Sequence, residues 1–430
     1  MSVIDTAPTL LGGIASSFHT NPYTGGHIEV RRAHGATLEL ADGREMLDTF
    51  MAHGSTILGH GNPSVFGAVQ QALEAGIVLG YETGLAAAVA DRLAQILPGA
   101  ERIRFCSTGT EAVTTALRMC RAHTGRDLVI KIDGHYNGGS DETMVNSTAA
   151  AIDRDNPGGQ ISHRIRSCSG IPEATADSII PIPWNDPAAL EGALSAYEER
   201  VAAVLMVPLD LNNGCITPAD GYLETARQLS EQHGALLVFD EVLSGFKTGL
   251  SGATGMYGGD PDVTIWSKAM ASSFPVSVIA GREDVMEVMA RPLPDGALQG
   301  GTHSGNIPGL AAAMATLDIV EEPGFYDALT ERTRKLGASL ESALRNCGLP
   351  ARVQTAGCGY GIYLGTTEPI RSCADIRRRV DPDLAKRFFT ACIEEGVYFH
   401  TDFTVSMAHT DEVLDEIVAR VARAAERVAD

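Results

Sequence analysis

ALLVFDEV (residues 235–242) and PDVTIWSK (residues 261–268) are short apolar runs, each breaking off on an ionisable side chain. Apolar runs this short, bounded by turn formers, read as strands buried on both faces. Asp240 and Lys268 then stand at the carboxyl ends of two such strands. Upstream, VAAVLMV (201–207) precedes an amphipathic stretch, Asp220 to His233, and downstream VSVIA (276–280) is another strand. Buried strands alternating with helical segments predict an α/β protein whose sheet is mostly parallel and covered by helices.

Further out, Ile103 and Phe105 lead into Ser107-Thr108-Gly109-Thr110-Glu111-Ala112 and a helical pattern from Thr110 to Thr124. Val113, Ala116, Leu117 and Cys120 share one face of it, and Gly125 is its stop. LVIKI (128–132) is the next strand. Beyond Gly305 the texture changes to a helical region from Pro308 to Cys347, a glycine-rich strand region from Gly357 to Leu364 and a final helix, Thr410 to Val428. That tail is long enough for a second, smaller domain. The polar stretch from Asn146 to Pro183 shows no regular pattern, and loops of such length are usually functional or mobile.

Composition narrows the function classes. The 430 residues are 44% hydrophobic and 20% charged, enough to bury a large core. Fifty-four acidic against 33 basic residues give a net charge of -21. Phosphate attraction dominates nucleic-acid binding, so this balance argues against nucleic acid or an anionic membrane as the main partner. No apolar run approaches the roughly 18 residues of a membrane span, and Met1 to Phe18 carries Asp5 and no Lys or Arg. The expectation is a soluble, cytoplasmic chain. Eight scattered cysteines with no C-x-x-C pair suggest neither a zinc site nor a disulfide framework.

Five features can carry chemistry, and each has an ordinary reading beside it. Ser107 to Glu111 opens a helix with a glycine among hydroxyls, which suits a phosphate but also suits a plain N-cap. Asp240 at a strand end can hold a protonated ring nitrogen, or the Asp240-Glu241 pair can cap the next helix. Lys268 at the neighbouring strand end is a candidate Schiff-base former, because burial lowers an amine's pKa; it can equally be surface decoration. Tyr136 in Gly134-His135-Tyr136-Asn137-Gly138 can stack on a planar cofactor or fill a core. Gly300 to Asn306, a glycine-rich and hydroxyl-bearing loop, can donate to a phosphate or simply turn.

In order along the chain, LADGREMLDTF, GHGNP, STGTEA, RAHTGRD, HYNGG, FDEVLSGFKTG, PDVTIWSK, GGTHSGN and MAHTDE resemble the class III (subgroup II) aminotransferases. These are pyridoxal 5'-phosphate enzymes of fold type I, and the likeness is strongest to their glutamate-1-semialdehyde 2,1-aminomutase branch. The resemblance implies a large domain with a mostly parallel seven-stranded sheet, residues 61–310, and a smaller α+β C-terminal domain, 311–430. An N-terminal segment, 1–60, would pack with the small domain and shape the active site. Lys268 would form the Schiff base and shuttle the proton, and Asp240 would pair with the pyridine nitrogen. Thr108, Gly109 and Thr110 would hold the phosphate, with Tyr136 and Val242 on the two ring faces. Thr302 would reach the phosphate from the neighbouring subunit, which implies a homodimer with shared active sites. A loop within 146–183 would gate the site.

The substrate-facing positions depart from the family. His19 stands where the aminomutases hold the substrate carboxylate with an arginine, and His53 replaces a pocket tryptophan. Asn137 replaces the histidine of a Tyr-His-Gly motif; these three, with His303, are the candidate substrate pocket. Val207 replaces a glutamate, and Ala271-Ser272-Ser273 replaces three glycines, which would narrow or re-polarise the space near the cofactor. The expectation is an aminotransferase or aminomutase-like enzyme acting on an amine or amino acid other than glutamate-1-semialdehyde. The alternatives are another carbanion reaction on the same cofactor (racemisation, decarboxylation, elimination or carbon–carbon bond formation) and a non-catalytic protein that kept the fold.

Overall fold

The computed structural model describes residues 9–76, 79–147, 155–156 and 158–429. Among them β1 (Val30–His34), β2 (Thr37–Leu40) and β3 (Glu45–Asp48) form an antiparallel meander. The central sheet takes β4 (Arg102–Cys106), β5 (Leu128–Ile132), β6 (Ile179–Ile182), β7 (Val201–Met206), β8 (Leu236–Asp240), β9 (Val263–Trp266) and β10 (Ser277–Gly281). Its seven strands run in the order β4-β10-β9-β8-β7-β5-β6. Only β10 is reversed, pairing antiparallel with both β4 and β9. The other six therefore end at one edge of the sheet, and the loops that follow them converge there.

β5, β7 and β8 are buried along their whole length. Their side chains alternate between two apolar layers: Ile130, Val204 and Leu237 on one face, Val129, Leu205 and Val238 on the other. A strand covered on both faces has no polar side to show, which is why these runs read as continuously apolar.

The stretch 146–183 is more regular than its composition suggests. It contains a short helix, Glu173–Ala176, and closes with β6. Pro181 hides that strand from a pattern reading, and the fold tolerates it because β6 lies at the sheet edge. Residues 148–154 and 157, the middle of the expected gating loop, lie outside the described residues.

The expected helix over 308–347 is two helices, Ile307–Val320 and Phe325–Asn346, separated at Gly324 with its φ of 84°. β11 (Ala351–Ala356) and β12 (Gly359–Leu364) pair antiparallel; β13 (Val397–Tyr398) joins β3 in parallel, and β14 (Phe403–Thr404) extends β12. Helices Pro382–Glu394 and Asp411–Ala429 complete this end. One apolar cluster runs from Val65 and Leu93 through Trp266 and Leu310 to Phe388 and Val421, so one core ties the C-terminal helices to the central sheet.

Candidate active site

The sheet topology brings four of the five sequence features to one edge. After β4 comes the turn into helix Gly109–Thr124, after β5 the Tyr136 loop, after β8 Asp240, and after β9 Lys268. Side chains link them. Asn137 Nδ2 donates to Asp240 Oδ2 at 2.9 Å, Val242 N–H donates to Asp240 Oδ1 at 3.0 Å, and Gly139 N–H donates to Thr110 Oγ1 at 3.1 Å. A Cβ on Gly109 would sit 3.1 and 3.2 Å from the Val242 methyls, so the helix start and the Asp240 loop are in close contact.

Thr108 is a true N-cap: its hydroxyl accepts from Glu111 N–H at 3.2 Å, while the Glu111 carboxylate accepts from Ser107 N–H at 2.9 Å. The ordinary reading holds here, and it leaves room for the functional one. The cap leaves the first-turn N–H groups of Gly109 and Thr110 without intrahelical acceptors and at the positive end of the helix dipole.

The acidic pair divides its work. Glu241 is fully buried and accepts from Ser244, Ala253 and Thr254, anchoring the loop beyond β8. Asp240 is 3% exposed, and burial raises its carboxyl above the usual range, against the Asn137 and Val242 hydrogen bonds and the charges of Lys268 and Lys131. A buried carboxylate served mainly by neutral donors gains from a cationic partner. Burial likewise pushes the Lys268 amine down, against the attraction of Asp402 and Asp240. Lys268 holds a left-handed φ of 50°, a strained conformation for a side-chain-bearing residue.

A cavity of about 830 Å³ opens beside this edge, walled by the N-terminal segment, the turn at 50–53 and residues 398 and 400. Its lining includes Phe18, His19, Phe50, His53, Tyr398 and His400; Lys268 and Asp240 lie outside its wall. Two side chains join it to the ionisable groups. Phe18 meets Tyr136 edge-on at 5.5 Å, and His53 Nδ1 lies 2.9 Å from Asp402 Oδ2.

Of the candidate substrate residues, His19 and His53 line the cavity, His19 from an exposed position. Asn137 is buried against Asp240 instead, on the carboxylate's side. Thr302 and His303 sit on an exposed turn, tied by Gln299 to the Phe105 carbonyl and Ser304, and within one chain they do not reach the cavity. Val207 is core, its N–H donating to His135 Nδ1 at 3.1 Å. The Ser272 hydroxyl pairs with Thr316 Oγ1 at 3.0 Å and Ser273 is exposed; both line a smaller cavity that shares Ala33, Ala52 and His60 with the main one.

Asp402, Lys247 and His400 escape a reading of the sequence. Lys247 lies inside FDEVLSGFKTG, and Asp402 in a short run near the C-terminus; only its 2% exposure marks Asp402 as unusual.

This edge matches a known enzyme class. Residues 19–424 match the model of the family "Aminotransferase class-III", and the chain belongs to that family. Over 424 residues, 97% of this chain and 96% of the other, it is 35% identical to a glutamate-1-semialdehyde 2,1-aminomutase of Laribacter hongkongensis. Among solved structures it superposes on an omega-transaminase from Sphaerobacter thermophilus with a TM-score of 0.90, at 27% identity over 98% of this chain and 95% of that one. A transaminase with PLP bound gives 0.87 at 26% identity, over 98% and 95%. The protein is a pyridoxal 5'-phosphate enzyme of fold type I. The residues fit that cofactor: a helix start for the phosphate, a buried carboxylate for the ring nitrogen and a desolvated amine for the aldehyde.

Proposed function

We propose that this enzyme transfers an amino group on an amine or amino acid other than glutamate-1-semialdehyde, one whose bulk is apolar or aromatic. What carries this reading is the cavity wall: among the described residues it holds no arginine or lysine. A substrate carboxylate calls for a fixed cation, best a bidentate guanidinium, and an exposed His19 is no equivalent. Phe18, Phe50 and Tyr398 instead offer apolar faces.

Bound pyridoxal 5'-phosphate supplies the electron sink for a substrate carbanion. Lys268 Nζ moves the proton at the substrate carbon, and the burial that lowers its amine favours the neutral form, which can accept that proton. Asp240 holds the proton on the ring nitrogen, and Asn137 fixes the carboxylate's orientation. The Gly109 and Thr110 N–H groups and the Thr108 hydroxyl would hold the phosphate, and Tyr136 and Val242 would pack against the ring. Thr302 completes the phosphate site of the partner in a cytoplasmic homodimer, which suits its place on an exposed turn. The chain divides at about 60 and 310, and the parallel pairing of β13 with β3 supports packing of the N-terminal segment on the small domain.

Incubation of the holoenzyme with arylalkylamines, α- and β-amino acids and glutamate-1-semialdehyde, following the cofactor spectrum and product masses, tests this. An apolar amine is expected to give amino transfer. Fastest turnover of glutamate-1-semialdehyde sinks the substrate assignment, and products formed without amino transfer favour the other carbanion chemistries.

A further inference from the structure

Of the 33 basic residues only five are lysines, at 131, 247, 268, 335 and 386. Lys335 and Lys386 face solvent, whereas Lys131 and Lys247 are each 1% exposed. A chain that otherwise uses arginine keeps lysine where the cation is buried and able to titrate.

Lys247 lies against an unusual piece of backbone. Met51, Ala52, His53 and Gly54 take φ of 49°, 53°, 57° and 66°, a left-handed turn. Each of the three non-glycine residues is strained there. The turn is held by Asp48, which accepts from Phe50 N–H at 2.9 Å and Met51 N–H at 3.1 Å and lies 2.7 Å from His60 Nε2. It aims His53 at Asp402 and lays Gly54 on the lysine: a Cβ on Gly54 would fall 1.8 Å from Lys247 Nζ and 2.7 Å from Thr404 Oγ1. Lys247 Nζ, Asp402 Oδ1 and Thr404 Oγ1 are buried there with no hydrogen-bond partner among the described residues. Unpartnered buried polar atoms are costly, and three beside one strained turn mark a functional arrangement rather than a packing one.

We propose that Asp402 and Lys247 are positioning residues of opposite charge that set how tightly the Lys268 nitrogen holds its proton, an inference resting on Lys268 as the cofactor lysine. The 51–54 turn packs on both the segment Lys268–Ala271 and the strand Phe403–Thr404, so the two act on Lys268 through space and in opposite senses. Asp402 favours the protonated nitrogen, Lys247 opposes it, and His53 fixes the carboxylate between the cavity and the lysine. Burial works to raise the Asp402 carboxyl, but the His53 hydrogen bond and the charges of Lys268 and Lys247 hold it low. Burial pushes Lys247 down to about 8, opposed by Asp402 and Cys358 and helped by Lys268. Tyr23 from the N-terminal segment, Asp210 beyond β7 and His400 also feel Asp402, and Asp240 faces Lys268 from β8.

The test is a pH titration of the holoenzyme's visible cofactor absorption, whose midpoint reports the proton on the Lys268 nitrogen. Asp402→Asn is expected to lower the midpoint by about one unit, Lys247→Met to raise it by about as much, and the double variant to return towards wild type. General damage cannot produce opposite signs. Shifts of the same sign, or no shift in variants whose circular dichroism matches wild type, overturn the proposal. If Lys247→Met does not load cofactor, the sign for Asp402→Asn alone decides. A wild-type band that does not move with pH also overturns the proposal, and a Lys268→Ala variant that keeps the band refutes instead the assignment of Lys268.

Discussion

Gly54 shows how much of the site depends on single atoms. Its left-handed φ and the Lys247 ammonium 1.8 Å from where a Cβ would lie leave room for hydrogen alone. Gly54→Ala is expected to lower unfolding free energy by about 2–4 kcal/mol in denaturant titration, combining overpacking with backbone strain. At Asp240 the charge, not the volume, matters. Asp240→Asn keeps the shape and a hydrogen bond to Asn137 but not the anion, and kcat is expected to fall about 100-fold or more with the fold unchanged. Glu241, one residue on, serves packing; its substitution is expected to destabilise the chain instead. The pair is indistinguishable in sequence because the division follows from which loop each carboxylate meets.

Elements place these groups. Six parallel strands and one reversed one set the common edge, and a carboxyl edge is where an α/β sheet presents its loops to a ligand. The C-terminal helix Asp411–Ala429 is docked beside its start by His409, whose ring nitrogens meet Ser406 N–H at 2.9 Å and the Asp48 carbonyl at 3.0 Å. Burial pushes that imidazole down to about 4. Its folded value is below the unfolded one of about 6.5, so the unfolded chain takes the proton first. Above about pH 6.5 the group contributes nothing to pH dependence; as pH falls towards 4 it removes about 3 kcal/mol. His409→Gln, which can donate and accept at the same two places, is expected to lose less stability than wild type between pH 7.5 and 4.5 in urea titrations.

For the whole molecule, the cofactor phosphate is the anion this chain of net charge -21 must hold, and helix N–H groups and hydroxyls can do that without a cluster of cations. Scattering in solution is expected to give twice the 45.4 kDa chain mass. Thr302→Ala is expected to weaken cofactor retention about tenfold in dialysis while leaving that mass unchanged; unaltered retention removes Thr302 from the shared site.

How far the sequence reaches can be followed residue by residue. β8 and β9, with Asp240 and Lys268 at their ends, are legible because burial on both faces writes a continuous apolar run, a local property. β6 is not, because Pro181 is acceptable only at an edge, and edge position belongs to the sheet. His19 and His53 line the cavity, whereas Asn137 turns to Asp240 and Ser272 to Thr316. The sequence by itself determined the α/β class and the cofactor and pointed to Lys268 as its lysine, since these rest on short motifs whose spacing along the chain is their geometry. Only the tertiary structure decided that His53 meets Asp402 while Gly54 lies on Lys247, at a turn packed against Lys268–Ala271. They come from three distant segments, and neither periodicity nor local propensity records a charge–charge contact made across the core.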